Sequence, residues 1–340
     1  MKKKKPRSGR ISRREFLKKA AVAGIGLTAG GVILSKLLSK EGSQANSLFN
    51  ESSGTELWKW SKEAYHYVQL GASVKCRVCP HECLLREGER SFCRNKTNKD
   101  GRLYTLAYGN PCSVHTDPVE KKPLYHFLPT SLAFSIATAG CNFRCLNCQN
   151  WEISQSSPEE TENLDLMPEK VVDNAISNHC KSIAYTYSEP TAFYEYMYDT
   201  SRIARNRGIK NVVVTNGYMN TAPLEDLSAC IDAVQLDLKG FSEDSYNRLN
   251  AGTLQPPLNY LKTLKEKNVW FEISNLVVPT WSDDLDLIKK MCSWIVENVG
   301  VDNPLHFLRF HPQYKLTNLP PTPVEILDKA RKIAMDAGLK

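Results

Sequence analysis

Three cysteines within eight residues, in Cys141-Asn-Phe-Arg-Cys145-Leu-Asn-Cys148, are the residues of this chain best suited to carry chemistry. Thiolates at this spacing can converge on one small soft-metal site. A cubane iron–sulfur cluster normally takes four cysteine ligands. Three close ligands without a fourth leave one iron open to an exogenous molecule, as catalytic metal sites keep a position open. The spacing alone also admits a zinc site completed from elsewhere, or chance in a chain with 11 cysteines. The motif follows an apolar run, 132–139, and a glycine, Gly140. That placement favours the catalytic reading, because ligand sites gather at the C-terminal ends of parallel strands.

A second set, Cys76-Arg-Val-Cys79-Pro-His-Glu-Cys83 with Cys93 a short loop later, reads as another metal site. Four sulfurs suit zinc and iron–sulfur alike, and disulfides are the alternative in an oxidising compartment. His81 reads as a neighbour of this site rather than a ligand. Cys180, Cys230 and Cys292 stand alone in helical stretches and read as small buried hydrophobes, while Cys112, without a partner, is left undecided.

The elements that must position these residues show in an alternation of short apolar strands with helical stretches. Strands are expected at 132–139, 182–187, 211–215, 233–238, 269–276 and 305–310. One intervening helix opens at Pro168, a favoured first helical position, and another covers 323–337. Six right-handed units predict an open, partial (β/α)6 barrel over 131–340, preceded by a small cysteine-rich metal-binding module over 76–130. The stretch 101–109 reads as a strand. Residues 46–75 read as a linker and a short helix, because Leu57, Trp60, Ala64, Tyr67 and Val68 recur at helical spacing.

The barrel strands end in polar phrases: Ser188-Glu189-Pro190, Thr215-Asn216-Gly217, Asp237-Leu-Lys239 and His311-Pro312. The carboxylate of Glu189 can hold an ammonium group, and the turn at Asn216 offers amides and a carboxamide. Alternation sends Asp237 and Lys239 to one side of their strand, where a plain buried ion pair is the competing reading. Lys121 and Lys122 read as a solvated pair, and His115 and His126 as structural histidines.

The net charge of +7 resides in the leader. Residues 1–20 hold ten Lys/Arg against Glu15, or +9, so the remainder carries +7 less +9, or −2. No basic body remains to suggest nucleic-acid binding. The leader and the apolar run at 20–34, too short for a comfortable span of about 20 residues, read as a targeting segment over 1–45. Ser12-Arg-Arg-Glu-Phe-Leu-Lys18 resembles a twin-arginine export signal. A periplasmic or membrane-anchored location follows, or a cytoplasmic one if the signal does not act.

Phrases spread between Cys76 and Leu316 carry a wider resemblance: CPHEC, DPVEKKPLYHF, CNFRCLNCQNWEISQ, YTYSEPTAF, DLKGF and FHPQYK. In this order they closely resemble the radical S-adenosylmethionine (SAM) enzymes of the AmmeMemoRadiSam system, relatives of pyruvate formate-lyase activating enzyme. The resemblance implies a 4Fe–4S cluster on Cys141, Cys145 and Cys148 whose open iron binds SAM. It places Ser188, Glu189, Asp237, Lys239 and His311 near that ligand, to which the turn at Asn216 is also available. It also implies an electron donor such as flavodoxin or ferredoxin, and a target that is undefined or a glycine of a partner protein. No acid–base pair is needed for the first step, so no catalytic residue is assigned. Asn147 departs from the aromatic residue that the family carries before its last cysteine. Relatives continue into a further strand and a cysteine-bearing tail, so a shortened protein or a truncated sequence is expected. Two other readings compete: a non-catalytic iron–sulfur electron carrier, and an exported zinc hydrolase, for which the sequence offers no His/Glu ligand pattern.

Overall fold

The computed structural model describes residues Leu57–Lys340; the targeting segment and the first part of the linker lie outside the described residues. The strands are β1 (Lys62–Glu63), β2 (Tyr67–Leu70), β3 (Ser73–Cys76), β4 (Leu84–Leu85), β5 (Lys96–Lys99), β6 (Arg102–Thr105), β7 (Ser113–Pro118), β8 (Leu132–Ala137), β9 (Ser182–Tyr185), β10 (Lys210–Thr215), β11 (Ala233–Asp237), β12 (Trp270–Val277) and β13 (Leu305–Arg309). The helices are α1 (Trp151–Ser154), α2 (Pro168–Ser177), α3 (Tyr194–Asn206), α4 (Thr221–Ser228), α5 (Glu243–Ser245), α6 (Gln255–Glu266), α7 (Leu285–Asn298) and α8 (Val324–Asp336).

Seven strands form one sheet in the order β13-β12-β11-β10-β9-β8-β7. The six from β8 to β13 are parallel, as the βα alternation requires. The apolar runs of the inner strands are buried on both faces, as in all of Ser182–Tyr185. Helices cover the outer face through apolar stripes such as Val171, Val172 and Ala175 of α2. The seventh strand was not expected. Ser113–Pro118 pairs antiparallel to β8, from Ser113 opposite Ala137 to Pro118 opposite Leu132. Its polar residues and terminal proline read as loop, yet an edge strand accepts both. The expected module boundary at 130/131 therefore falls between two paired strands.

The short helix expected within 57–70 is not formed. A single 3-10 turn covers Trp58–Trp60, after which β1 pairs with β6 and β2 with β3. Leu57 and Trp60 bury against Leu106, so tertiary packing outweighs the local periodicity. The strand expected within 101–109 forms as β6.

Behind the barrel, Lys96 of β5 and Glu195 of α3 form an ion pair with both side chains buried. Removing one partner leaves an uncompensated charge in the interior, at a cost of about 3–5 kcal/mol. Lys96→Met is expected to lower stability by that amount in urea unfolding, and Lys96→Met/Glu195→Leu to recover part of the loss. Equal losses in the single and double variants would show that the pair's charge is not the cause.

The cavity face of the sheet is closed at the strand starts by the loop that follows β7. Val119 and Leu124 of this loop pack fully buried against Ala133, Ala184, Val212 and Ala233. Lys122, expected in solvent, is instead buried: its Nζ lies 2.9 Å from Asp117 and 3.1 Å from the Tyr187 hydroxyl. A lysine can be buried in this way only with such a partner. Lys121, by contrast, stays exposed while reaching Asp117 at 2.8 Å. No helix among the described residues is long and apolar enough to cross a membrane.

Candidate functional site

A cavity of about 570 Å³ opens at the C-terminal ends of the parallel strands. Cys141, Cys145 and Cys148 all line it, from the loop between β8 and α1. Gly140 makes the exit from β8 possible: its φ is +90°, a backbone conformation that side chains strain. Phe143 N donates to Cys141 Sγ at 3.3 Å. Cys148 N donates to Cys145 O at 3.2 Å, closing the turn between the last two cysteines.

The loop is held from three sides. His81 Nε2 donates to Asn142 O at 2.8 Å, and Asn142 donates to Tyr218 O at 2.8 Å. Arg144 donates to Phe92 O and lies 3.9 Å over the Phe92 ring. From beyond β13, Lys315 N donates to Leu146 O at 2.9 Å and Tyr314 stacks on Trp151 at 5.2 Å. His81 thus supports the loop and is not a sulfur-site neighbour alone.

Burial pushes Cys145 up to about 12 and raises Cys141 and Cys148 as well. Thiols raised in this way keep their protons at neutral pH unless a metal displaces them. Iron would supply that charge. The donor set fits a four-iron cluster with one iron left over, since no fourth cysteine lines the cavity among the described residues.

Around the sulfurs stand Ser188, Glu189, Asn216, Asp237 and Lys239, brought together as expected. Ser188 Oγ donates to Thr138 O at 2.7 Å. Glu189 is buried and accepts four hydrogen bonds, from Thr191 N (3.0 Å), Thr191 Oγ1 (2.7 Å), Thr215 Oγ1 (2.7 Å) and Asn216 N (2.9 Å). Burial nevertheless raises it above the usual carboxylate range. Asn216 donates from Nδ2 to Asn142 Oδ1 at 2.9 Å, which ties the end of β10 to the cysteine loop. Asp237 and Lys239 pair at 2.7 Å. Burial opposes the ammonium of Lys239, but Asp237 and the Cys145 sulfur outweigh it and hold Lys239 above its ordinary value. His311 is not brought in: it is exposed beyond β13 and does not line the cavity.

Sequence reasoning missed the far wall of the cavity, made by Asp117, Lys122 and Tyr187. Tyr187 takes φ +67°, strained for a tyrosine, and its hydroxyl donates to Asp117. The available signal was the alternation of His115 and Asp117, both of which line the cavity from β7.

The second cysteine set also converges. Cys79 is raised well above its ordinary value by burial, with Cys76, Cys93 and Cys83 contributing charge nearby. Phe92 N donates to Cys83 Sγ at 3.3 Å and Cys76 N to Cys83 O at 3.0 Å. Cys180, Cys230 and Cys292 are buried among apolar residues, although only Cys292 lies within a helix. Cys112 is half-buried, with its Sγ 3.6 Å from Ala137 O.

The radical SAM superfamily model matches residues 135–291, from β8 to within α7. An uncharacterized protein of Methanocaldococcus jannaschii is 47% identical over 280 residues, covering 82% of this chain and 83% of that protein. The pyruvate formate-lyase 1-activating enzyme of Escherichia coli K12 is 28% identical over 217 residues, 59% of this chain and 87% of that enzyme. A radical SAM methyltransferase from Sphaerobacter thermophilus has the same fold, with a TM-score of 0.50 and 11% identity over 84% of this chain and 78% of that one. A three-cysteine loop at the end of the first parallel strand and relatives that span most of the chain lead to one placement: this chain belongs to the radical SAM superfamily and is related to the pyruvate formate-lyase activating enzymes.

Proposed function

We propose that this protein is a SAM-cleaving enzyme that generates a radical and uses it to abstract hydrogen from a further substrate. The observation that carries this reading is that, among the described residues, three cysteines and no fourth line one cavity, with Lys239, Glu189 and Asp237 beside the sulfurs. When bound, a reduced 4Fe–4S cluster supplies the electron that splits SAM into methionine and a 5′-deoxyadenosyl radical. The chain's own part is positioning. Cys141, Cys145 and Cys148 hold the cluster at the strand ends. Ser188, Glu189 and Asn216 offer hydrogen-bonding groups to the amino-acid end of SAM, and the Asp237–Lys239 pair keeps a charge beside Cys145. The loop behind β7 excludes water from the strand starts.

The relation to activating enzymes supports a protein substrate, with a low-potential donor of the flavodoxin or ferredoxin class. Cys76, Cys79, Cys83 and Cys93 hold a second metal centre. Four sulfurs suit zinc and iron–sulfur alike. The leader directs the folded protein to twin-arginine export.

Anaerobically reconstituted protein supplied with SAM and dithionite is expected to release 5′-deoxyadenosine. Electron paramagnetic resonance of the reduced protein is expected to change when SAM is added. An unchanged spectrum together with no 5′-deoxyadenosine would favour an electron carrier instead.

A further inference from the structure

At the opposite end of the sheet from the cysteines, three side chains far apart in sequence meet. Glu272 comes from β12, His306 from β13, and His126 from the loop that follows β7. Their ligating atoms all lie within 4.8 Å of one another, a condition that, among the described residues, this His/Glu set meets. His306 Nε2 is 2.8 Å and His126 Nδ1 is 3.2 Å from Glu272 Oε2. For bonds of about 2.0–2.1 Å, the edge of a tetrahedral site is ~3.3 Å, so a metal needs only a small outward shift of these atoms.

Glu272 is oriented as a ligating carboxylate is oriented. His126 N donates to Oε1 at 2.8 Å and Tyr125 N to Oε2 at 3.1 Å, the kind of supporting hydrogen bonds that fix a metal ligand. Its side chain is fully buried, and among the described residues its ion-pair partners are the two imidazoles alone, with no lysine or arginine. A buried carboxylate requires compensating charge. Three nitrogens crowd the single oxygen Oε2, more than its lone pairs serve well. The His126 side chain is 57% exposed, which leaves coordination positions to water.

We propose that His126, Glu272 and His306 form a binding site for a divalent transition metal of the zinc class, and that this metal clasps the loop behind β7 to the far edge of the open sheet. Two histidines and one carboxylate are a common ligand set for such ions. The clasp joins residues contiguous with one edge strand, β7, to β12 and the other edge strand, β13. It therefore bridges the gap that six parallel strands leave unclosed.

The test uses full-length protein whose cysteine sites have first been filled with iron. Zinc titrated into this protein is expected to bind at one further equivalent and to raise the thermal midpoint. Cobalt in its place is expected to show ligand-field bands without sulfur-to-cobalt charge transfer. His126→Ala, a change at an exposed side chain, is expected to weaken this binding by at least about 100-fold and to abolish the thermal shift while leaving iron content unchanged. Failure of the wild-type protein to bind the extra zinc equivalent overturns the proposal, as does undiminished binding by His126→Ala. His306→Gln is expected to behave like His126→Ala; if it alone misfolds, the wild-type titration still decides. Because no arm measures SAM cleavage, the result is independent of the function proposed above.

Discussion

Cys145→Ala protein, reconstituted anaerobically beside the wild type, is expected to release 5′-deoxyadenosine at least about 10³-fold more slowly, the scale on which loss of an indispensable group acts. Cys145 sits centrally in the loop, its sulfur beside Lys239 and near Cys148. Two remaining cysteines cannot hold a cubane with one iron open. Metal bound through Cys76, Cys79, Cys83 and Cys93 is expected to persist, so the metal lost is that of the first set alone. The SAM-dependent change in the resonance spectrum is expected to vanish with it. SAM cleavage at the wild-type rate in this variant would refute the assignment of the cluster to this loop.

The second large effect is expected at a residue without a side chain. Gly140 lies between β8 and Cys141 at φ +90°, and a Cβ there would stand 2.3 Å from Cys93 O and 2.6 Å from Asn95 Oδ1. Neither atom can retreat easily. Cys93 O is backbone within the second cysteine set, and Asn95 Nδ2 is held by Ala139 O at 2.7 Å. Gly140→Ala is expected to cost about 3 kcal/mol or more, from backbone strain and overpacking together. Because the clash pushes apart both cysteine segments, metal incorporation at both is expected to drop with the thermal midpoint. A variant with wild-type melting and full metal content would show that the two segments are not packed this tightly.

The parts of the fold that sequence reveals are those governed by local chemistry. The apolar runs of β9, β10 and β11 begin within one residue of where alternation places them, because strands buried on both faces leave nothing else to read. The cysteines, Glu189, Asn216, Asp237 and Lys239 fall at strand ends and so follow once the strands are placed. What escapes is set by distant partners. Lys122 looks solvated until Asp117 and Tyr187 are known to face it. The phrase containing His311 was informative, but through Tyr314 and Lys315, which brace the cysteine loop, and not through the histidine. Glu272 and His306 belong to separate strands and His126 to a loop 146 residues before Glu272, so no local window shows a His/Glu pattern.

The loop seated on Ala133, Ala184, Val212 and Ala233 has a kinetic consequence. A chamber sealed at its base has one doorway, and whatever sits deepest must arrive first and depart last. Under the proposed function, the small molecule beside the sulfurs is expected to load before a bulky partner covers the rim, and spent fragments to wait for that partner to leave. Excess partner is then expected to slow the enzyme by trapping products behind it.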